Sequence, residues 1–104
     1  LLAGVRVDGA LRATAGVYAL DPVSRQGVIE QVYTQPQYRG RGLARQLIRR
    51  ITEDARQIGY RCMLLDTLPV LEDAVRLYRQ LGFYEIPCYN DSPVESTLFF
   101  QLDL

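Results

Sequence analysis

Apolar and polar positions alternate along the first third of the chain and then change period. From Leu1 to about Val7 a short apolar-rich run ends at Asp8-Gly9, a turn signal. Ala10–Leu20 follows with small and β-branched residues and closes at Asp21-Pro22. Two antiparallel strands joined near Asp8-Gly9 are the simplest reading. After a polar loop over Ser24–Gly27, Val28–Thr34 is predicted as a third strand. A period of two puts Val28, Glu30, Val32 and Thr34 on one face and Ile29, Gln31 and Tyr33 on the other. Neither face is purely apolar, so one of them is expected to line a cleft.

Gln35-Pro36 stops that strand, and from Gly42 to Ile58 the period becomes helical. Leu43, Leu47, Ile48, Ile51, Ala55 and Ile58 fall on one stripe, and Gly59 is a natural stop. Cys62-Met63-Leu64-Leu65 is a continuous apolar run, the pattern of a strand covered on both faces. Asp66–Pro69 reads as a loop. A second helix begins at Glu72-Asp73, where carboxylates suit the positive helix end. Its stripe is Ala74, Leu77, Tyr78 and Leu81, and Gly82 ends it. Phe83–Ile86 and Thr97–Leu102 are predicted as the last strands. The order β-β-β-α-β-α-β-β holds a strand–helix–strand crossover at its centre, so those two strands should be parallel neighbours. The expected fold class is α/β, a mixed and mostly antiparallel sheet with helices packed on it, in one domain over residues 1–104.

Composition narrows the chemistry. Twelve basic residues balance twelve acidic ones, which argues against a dedicated nucleic-acid binder. Arg49 and Arg50 read instead as a solvated helix face with Glu53 and Asp54. All the basic residues are arginine and histidine is absent, so lysine Schiff bases and imidazole chemistry are excluded. Proton transfer falls to carboxylates, tyrosines, cysteines, backbone or water, and no metal site is expected. No apolar run approaches membrane-spanning length. Cys62 and Cys88, without a secretory segment, suit reduced thiols and a cytoplasmic location. The first residue is Leu1, which suggests part of a longer product.

The most informative stretch is Arg39-Gly40-Arg41-Gly42-Leu43-Ala44. It follows a strand, comes after a proline and opens a long amphipathic helix. The first turn of a helix exposes N–H groups with no internal partner, and with the helix dipole they form an anion site. Gly40 and Gly42 let a ligand approach the backbone, while Arg39, Arg41 and Arg45 add positive charge. The bland alternative is a glycine turn that merely starts a helix. The stretch is not a Walker loop, lacking the Lys-Ser/Thr pair. It also lacks the full G-x-G-x-x-G dinucleotide fingerprint, because Arg45 stands where the third glycine would be.

These residues match the R/Q-x-x-G-x-G/A signature of the GNAT family, the Gcn5-related N-acetyltransferases. Val32-Tyr33-Thr34-Gln35-Pro36-Gln37-Tyr38 resembles the family's approach to that signature. Ala74-Val75-Arg76-Leu77-Tyr78-Arg79-Gln80-Leu81-Gly82-Phe83 resembles its A-x-x-LY-x-x-LGF segment. The pieces stand in family order and cover roughly Gly27 to Ile86. Leu65–Pro69 and Glu85-Ile86-Pro87 look like a group of uncharacterised bacterial members.

The resemblance implies the acyl-CoA N-acyltransferase fold, with acetyl-CoA as co-substrate in a V-shaped gap between two splayed parallel strands. It implies pairing of the pantetheine arm with the backbone of Val32, Tyr33 and Thr34. The pyrophosphate would lie on the N–H groups of the segment Gly40, Arg41, Gly42, Leu43, Ala44 and Arg45. Tyr78 matches the family tyrosine that protonates the leaving thiolate; its other reading is a core tyrosine bonded to a backbone acceptor. Glu30, on the face assigned to Val32 and Thr34, is the leading base, acting through a water, against the reading of a solvated strand carboxylate. Asp66 and Tyr89 are weaker base candidates. Cys62 and Cys88 raise the alternative of a covalent acyl-enzyme; Cys62 reads as core and Cys88 stays open, and direct transfer to an amine in a ternary complex is the family default that the resemblance implies.

The sequence also departs from the family pattern. Many members carry Glu where Val28 stands and a basic residue where Glu30 stands. Leu71 replaces an asparagine that contacts the cofactor. The family's first strand and two helices, which wall the acceptor site, are missing from the matched region, so a longer product or another subunit is expected to supply them. The acceptor is read as a small-molecule or peptide amine, with no nucleic-acid or membrane partner, and a homodimer is possible by resemblance. The competing reading is a non-catalytic acyl-CoA-binding or regulatory module.

Overall fold

In the computed structural model, which describes residues 2–21, 23–88 and 96–104, the first reversal is set by Asp8 and Gly9, with φ of 54° and 79°. Two positive φ angles give the twist of a primed two-residue hairpin. It joins β1 (Leu2–Val7) to β2 (Ala10–Ala19) as antiparallel neighbours. At the next reversal the Asp21 carboxylate accepts the backbone N–H groups of Val23 and Ser24 at 2.8 and 2.7 Å. Those bonds hold the carboxyl below its ordinary pKa. The chain returns as β3 (Gln26–Thr34), antiparallel to β2.

Helix α1 (Leu43–Ile58) runs from Gly42 to Gly59, both in the left-handed region that glycine adopts without strain. It buries Leu43, Leu47, Ile48, Ile51 and Ala55 against the sheet. Ile58, expected on that stripe, is exposed. The helix ends at the next residue, and Tyr60 packs on the core beyond the stop. β4 (Cys62–Thr67) lies parallel to β3. It extends through Asp66 and Thr67, expected as loop, because both pair with the last strand. Helix α2 (Glu72–Gln80) leads to β5 (Tyr84–Ile86), and β6 (Leu98–Asp103) inserts between β4 and β5. The sheet order is β1-β2-β3-β4-β6-β5, mixed as expected, with β3 and β4 as the parallel pair at its centre.

Both helices contribute to one apolar cluster with Val17, Ile29, Met63, Leu65 and Phe100. Val28, Cys62 and Leu64 form a separate cluster on the other face, with Leu20 and Ile86 packed against it. Among the described residues, that second face carries no helix.

Two bulges interrupt the regular ladder. Val5 faces Ala13 while Arg6 faces Leu11, which makes Arg12 an extra residue in β2. On the other side of β2, Thr14 faces Tyr33 while Gly16 faces Glu30, so β3 carries an extra residue between Glu30 and Tyr33. A bulge shifts the side-chain alternation by one position. The uniform two-residue period expected over Val28–Thr34 is therefore corrected. Val32 joins Ile29 on the helix side, and Thr34 sits there opposite the buried Ala13. Glu30 stays with Val28 on the helix-free side.

Candidate active site

The parallel pair is short. β3 and β4 pair only as Gln26–Cys62, Gly27–Met63 and Val28–Leu64. β3 continues to Thr34 against β2, and β4 continues to Thr67 against β6. The two strands thus part beyond Val28 and Leu64, leaving facing edges at 29–34 and 65–67. Inside a sheet, backbone N–H and C=O groups normally pair across such edges. A ligand carrying amides can pair there instead.

The loop after β3 stands at the open end of this parting. A 3₁₀ turn over Pro36–Tyr38 leads into it. Gly40 and Gly42 have φ of 80° and 77°, which a residue with a Cβ adopts only under strain. A Cβ at either position would meet no atom within 4 Å, so the surface in front of both is open. The first helical hydrogen bond of α1 runs from the Gln46 N–H to the Gly42 carbonyl at 3.1 Å. The N–H groups of Leu43, Ala44 and Arg45 consequently have no acceptor within the helix, and Gly42 offers no capping side chain.

Charge around the loop is one-signed. The first turn of α1 holds no acidic residue. Among the described residues, Arg39, Arg41, Arg45 and Arg49 have no carboxylate partner. Ion pairs begin further along α1, with Arg50–Asp54 at 3.2 Å and Arg56–Glu53 at 2.5 Å. The Arg39 Nε donates to the Thr34 carbonyl at 3.2 Å, which ties the loop to the end of β3. Arg45 donates to the Gln80 side chain on α2, leaving its backbone N–H at the helix start.

Tyr78 is buried, its ring 5.8 Å from that of Phe83 and 6.5 Å from that of Phe100. Phe100 is the cross-strand partner of Leu65, the first β4 residue beyond the parallel pairing. Tyr78 therefore packs on the helix face at the start of the parting. Burial raises its phenol above the ordinary value, which keeps it protonated at neutral pH.

Glu30 is exposed on β3, opposite Gly16. It does not share a face with Val32 and Thr34. The β3 bulge puts it on the helix-free side, across the sheet from Tyr78. Asp66 is exposed on β4. Leu71 stands exposed at the start of α2 and offers no capping side chain. Cys62 is buried in the second cluster and Cys88 is exposed, with no disulfide between them. Tyr89 lies outside the described residues.

Sequence reasoning missed the β3 bulge and the surroundings of Tyr38, whose ring has the guanidinium carbons of Arg12 and Arg41 each 4.8 Å from its centroid. The tyrosine beside an arginine-rich glycine loop was a visible signal. Its partner Arg12 was not, because it reaches the loop from another strand.

Comparison with known proteins accords with this geometry. The model of the acetyltransferase (GNAT) family matches residues 1–83. An uncharacterised N-acetyltransferase of Schizosaccharomyces pombe is 33% identical over 91 residues, covering 86% of this chain and 56% of that protein. The chain thus spans little more than half of that relative. A crystal structure of an acyl-CoA N-acyltransferase candidate from Klebsiella pneumoniae superposes with a TM-score of 0.88 at 23% identity, over 99% of this chain and 71% of the other. An acetyltransferase candidate from Salmonella typhimurium, solved with its cofactor acetyl-CoA, gives 0.79 at 22% identity, over 98% and 63%.

Proposed function

The chain belongs to the GNAT family of acetyltransferases, and from that premise we propose that it transfers the acetyl group of acetyl-CoA directly to a primary amine. The observation that carries this reading is the parting of β3 from β4 beyond Val28 and Leu64, with the Gly40–Gly42 turn at its open end. An edge able to pair with amides and a positively charged helix start suit one ligand that carries both amides and a diphosphate. CoA is such a ligand. The backbone of Val32, Tyr33 and Thr34 takes the pantetheine amides. The N–H groups from Gly40 to Arg45 take the diphosphate, supported by Arg39 and Arg41.

Transfer forms a C–N bond and breaks the C–S bond of the thioester. The amine must be neutral to attack and must lose a proton afterwards. Glu30 receives that proton through a water, and the Tyr78 phenol protonates the departing thiolate. The two groups lie on opposite sides of the sheet, so the amine approaches from the helix-free side. The amine's identity is set by whatever walls that side.

Calorimetric titration with acetyl-CoA tests the shared basis of the reading, and binding in the micromolar range is expected. The Gly42→Glu variant should bind far more weakly, because it sets a carboxylate against the diphosphate and strains a left-handed position. Unchanged affinity would contradict the loop assignment. Thiol release across a panel of small amines and peptide N-termini, run on the full-length product, then separates an enzyme from a binding module. Binding without release from any amine would favour the module, which the exposed apolar Leu71 at the start of α2 already recommends as the second reading.

A further inference from the structure

The loop that the proposed function assigns to the CoA diphosphate is held from outside by a residue of another strand. Arg12 is the extra residue of the β2 bulge, and bulges redirect side chains. Its Nη1 donates to the Gln35 side-chain oxygen at 3.0 Å, across 23 positions of sequence. Its carbonyl accepts the Gln35 N–H at 2.9 Å. Its guanidinium carbon lies 4.8 Å from the centroid of the Tyr38 ring, and so does that of Arg41. Arg41 stands between Gly40 and Gly42, the two residues whose positive φ shapes the turn. Tyr38 itself packs against the main core.

Two features mark this arrangement as more than surface packing. Among the described residues, neither guanidinium has a carboxylate partner, and the Arg12 Nε is buried without an acceptor. Gathering two cations around one ring is opposed by their repulsion, which the ring's negative face offsets only in part. An anion in the adjacent turn relieves that repulsion. We propose that Arg12, acting through Tyr38, is a positioning residue that holds Arg41 and the Gly40–Gly42 turn in the form that accepts a diphosphate. The inference rests on the CoA reading of the loop.

The test is calorimetric titration of two ligands, CoA and S-acetylpantetheine, the second being an acylated pantetheine arm without the diphosphate and the nucleotide beyond it. Arg12→Met keeps the length and the apolar stem of the side chain while removing the cation. It should weaken CoA binding about five- to tenfold, the size of a partly desolvated cation–ring contact, and leave S-acetylpantetheine affinity unchanged. Arg12→Lys should recover most of the loss, because an ammonium keeps both the ring contact and a donor for Gln35. Tyr38→Leu should match Arg12→Met. The inference is overturned if Arg12→Met binds CoA like the wild type, if both ligands weaken together, or if lysine fails to rescue. A wild-type protein that binds neither ligand overturns the CoA reading itself. Wild-type binding with an indifferent Arg12→Met overturns this inference alone.

Discussion

Tyr78 shows how one side chain can serve both packing and chemistry. Its ring fills core space against Phe83 and Phe100, and its burial raises the phenol's pKa. Tyr78→Phe keeps the ring and removes only the hydroxyl. If the phenol protonates the leaving thiolate, turnover at saturating substrate should fall by roughly a hundredfold or more, with CoA affinity unchanged. Loss of CoA binding would make Tyr78 a structural residue instead. The raised pKa also has a sign in stability. Above the ordinary phenol value of about 10 the unfolded chain releases a proton that the folded chain retains, so stability falls as pH rises through that window. Urea unfolding followed from neutral to strongly alkaline pH should show a shallower loss in Tyr78→Phe than in the wild type. An identical slope would mean that the buried phenol does not set it. Tyr78 was legible in the sequence because most of its helical stripe holds: Ala74 and Leu81 pack on the core beside it, with Val75 packed there and Leu77 not among the packed residues. The side of the sheet that Glu30 faces was not, since a bulge is a mismatch between two strands and leaves no mark on either alone.

At the scale of elements, the order of strands and helices follows from periodicity and punctuation, and the structure departs from it in small ways with local causes. Ile58, the last residue of α1, is exposed, and Tyr60 beyond the Gly59 stop packs on the core instead. Asp66 and Thr67 join β4 because β6 offers them partners, a long-range fact that a local loop signal cannot contain. The parting of β3 and β4 was expected only through the family resemblance, since nothing in either strand states where pairing stops. The structure shows what holds the closed end. A Cβ on Gly27 would come within 3.0 Å of Met63, Tyr60 and Val17. Gly27 faces Met63 in the short parallel ladder, so the two strands meet there with no spare volume. Gly27→Val should therefore destabilise the fold by about 1–3 kcal/mol, the usual cost of overpacking, read as a lower urea midpoint. The comparison is Arg50→Ala, which removes an exposed ion pair with Asp54 and should change stability by under about 1 kcal/mol. A Gly27→Val midpoint equal to that of Arg50→Ala would show that the contact relaxes freely.

For the whole molecule, the formal charge of zero conceals a segregation. Carboxylates pair with arginines along α1 past Arg50, within α2, and between α2 and β5. Among the described residues, Arg39, Arg41, Arg45 and Arg49, in the loop and the first two turns of α1, have no carboxylate partner. A neutral chain exerts little long-range pull on polyanions, so attraction should be confined to a ligand that docks at the loop. This separates two expectations. Duplex DNA, which reads a broad basic surface, should not bind appreciably even at low salt. CoA should bind with an affinity that falls severalfold as NaCl rises from about 0.1 M to about 1 M, over which the screening length shrinks from about 10 Å to about 3 Å. S-acetylpantetheine, held by strand backbone, should be nearly indifferent to salt, which isolates the contribution of the phosphorylated end of CoA. CoA binding as insensitive to salt as that of S-acetylpantetheine would mean that the arginines around the loop do not face the ligand. In that case the N–H groups of the first helical turn would have to hold the diphosphate alone.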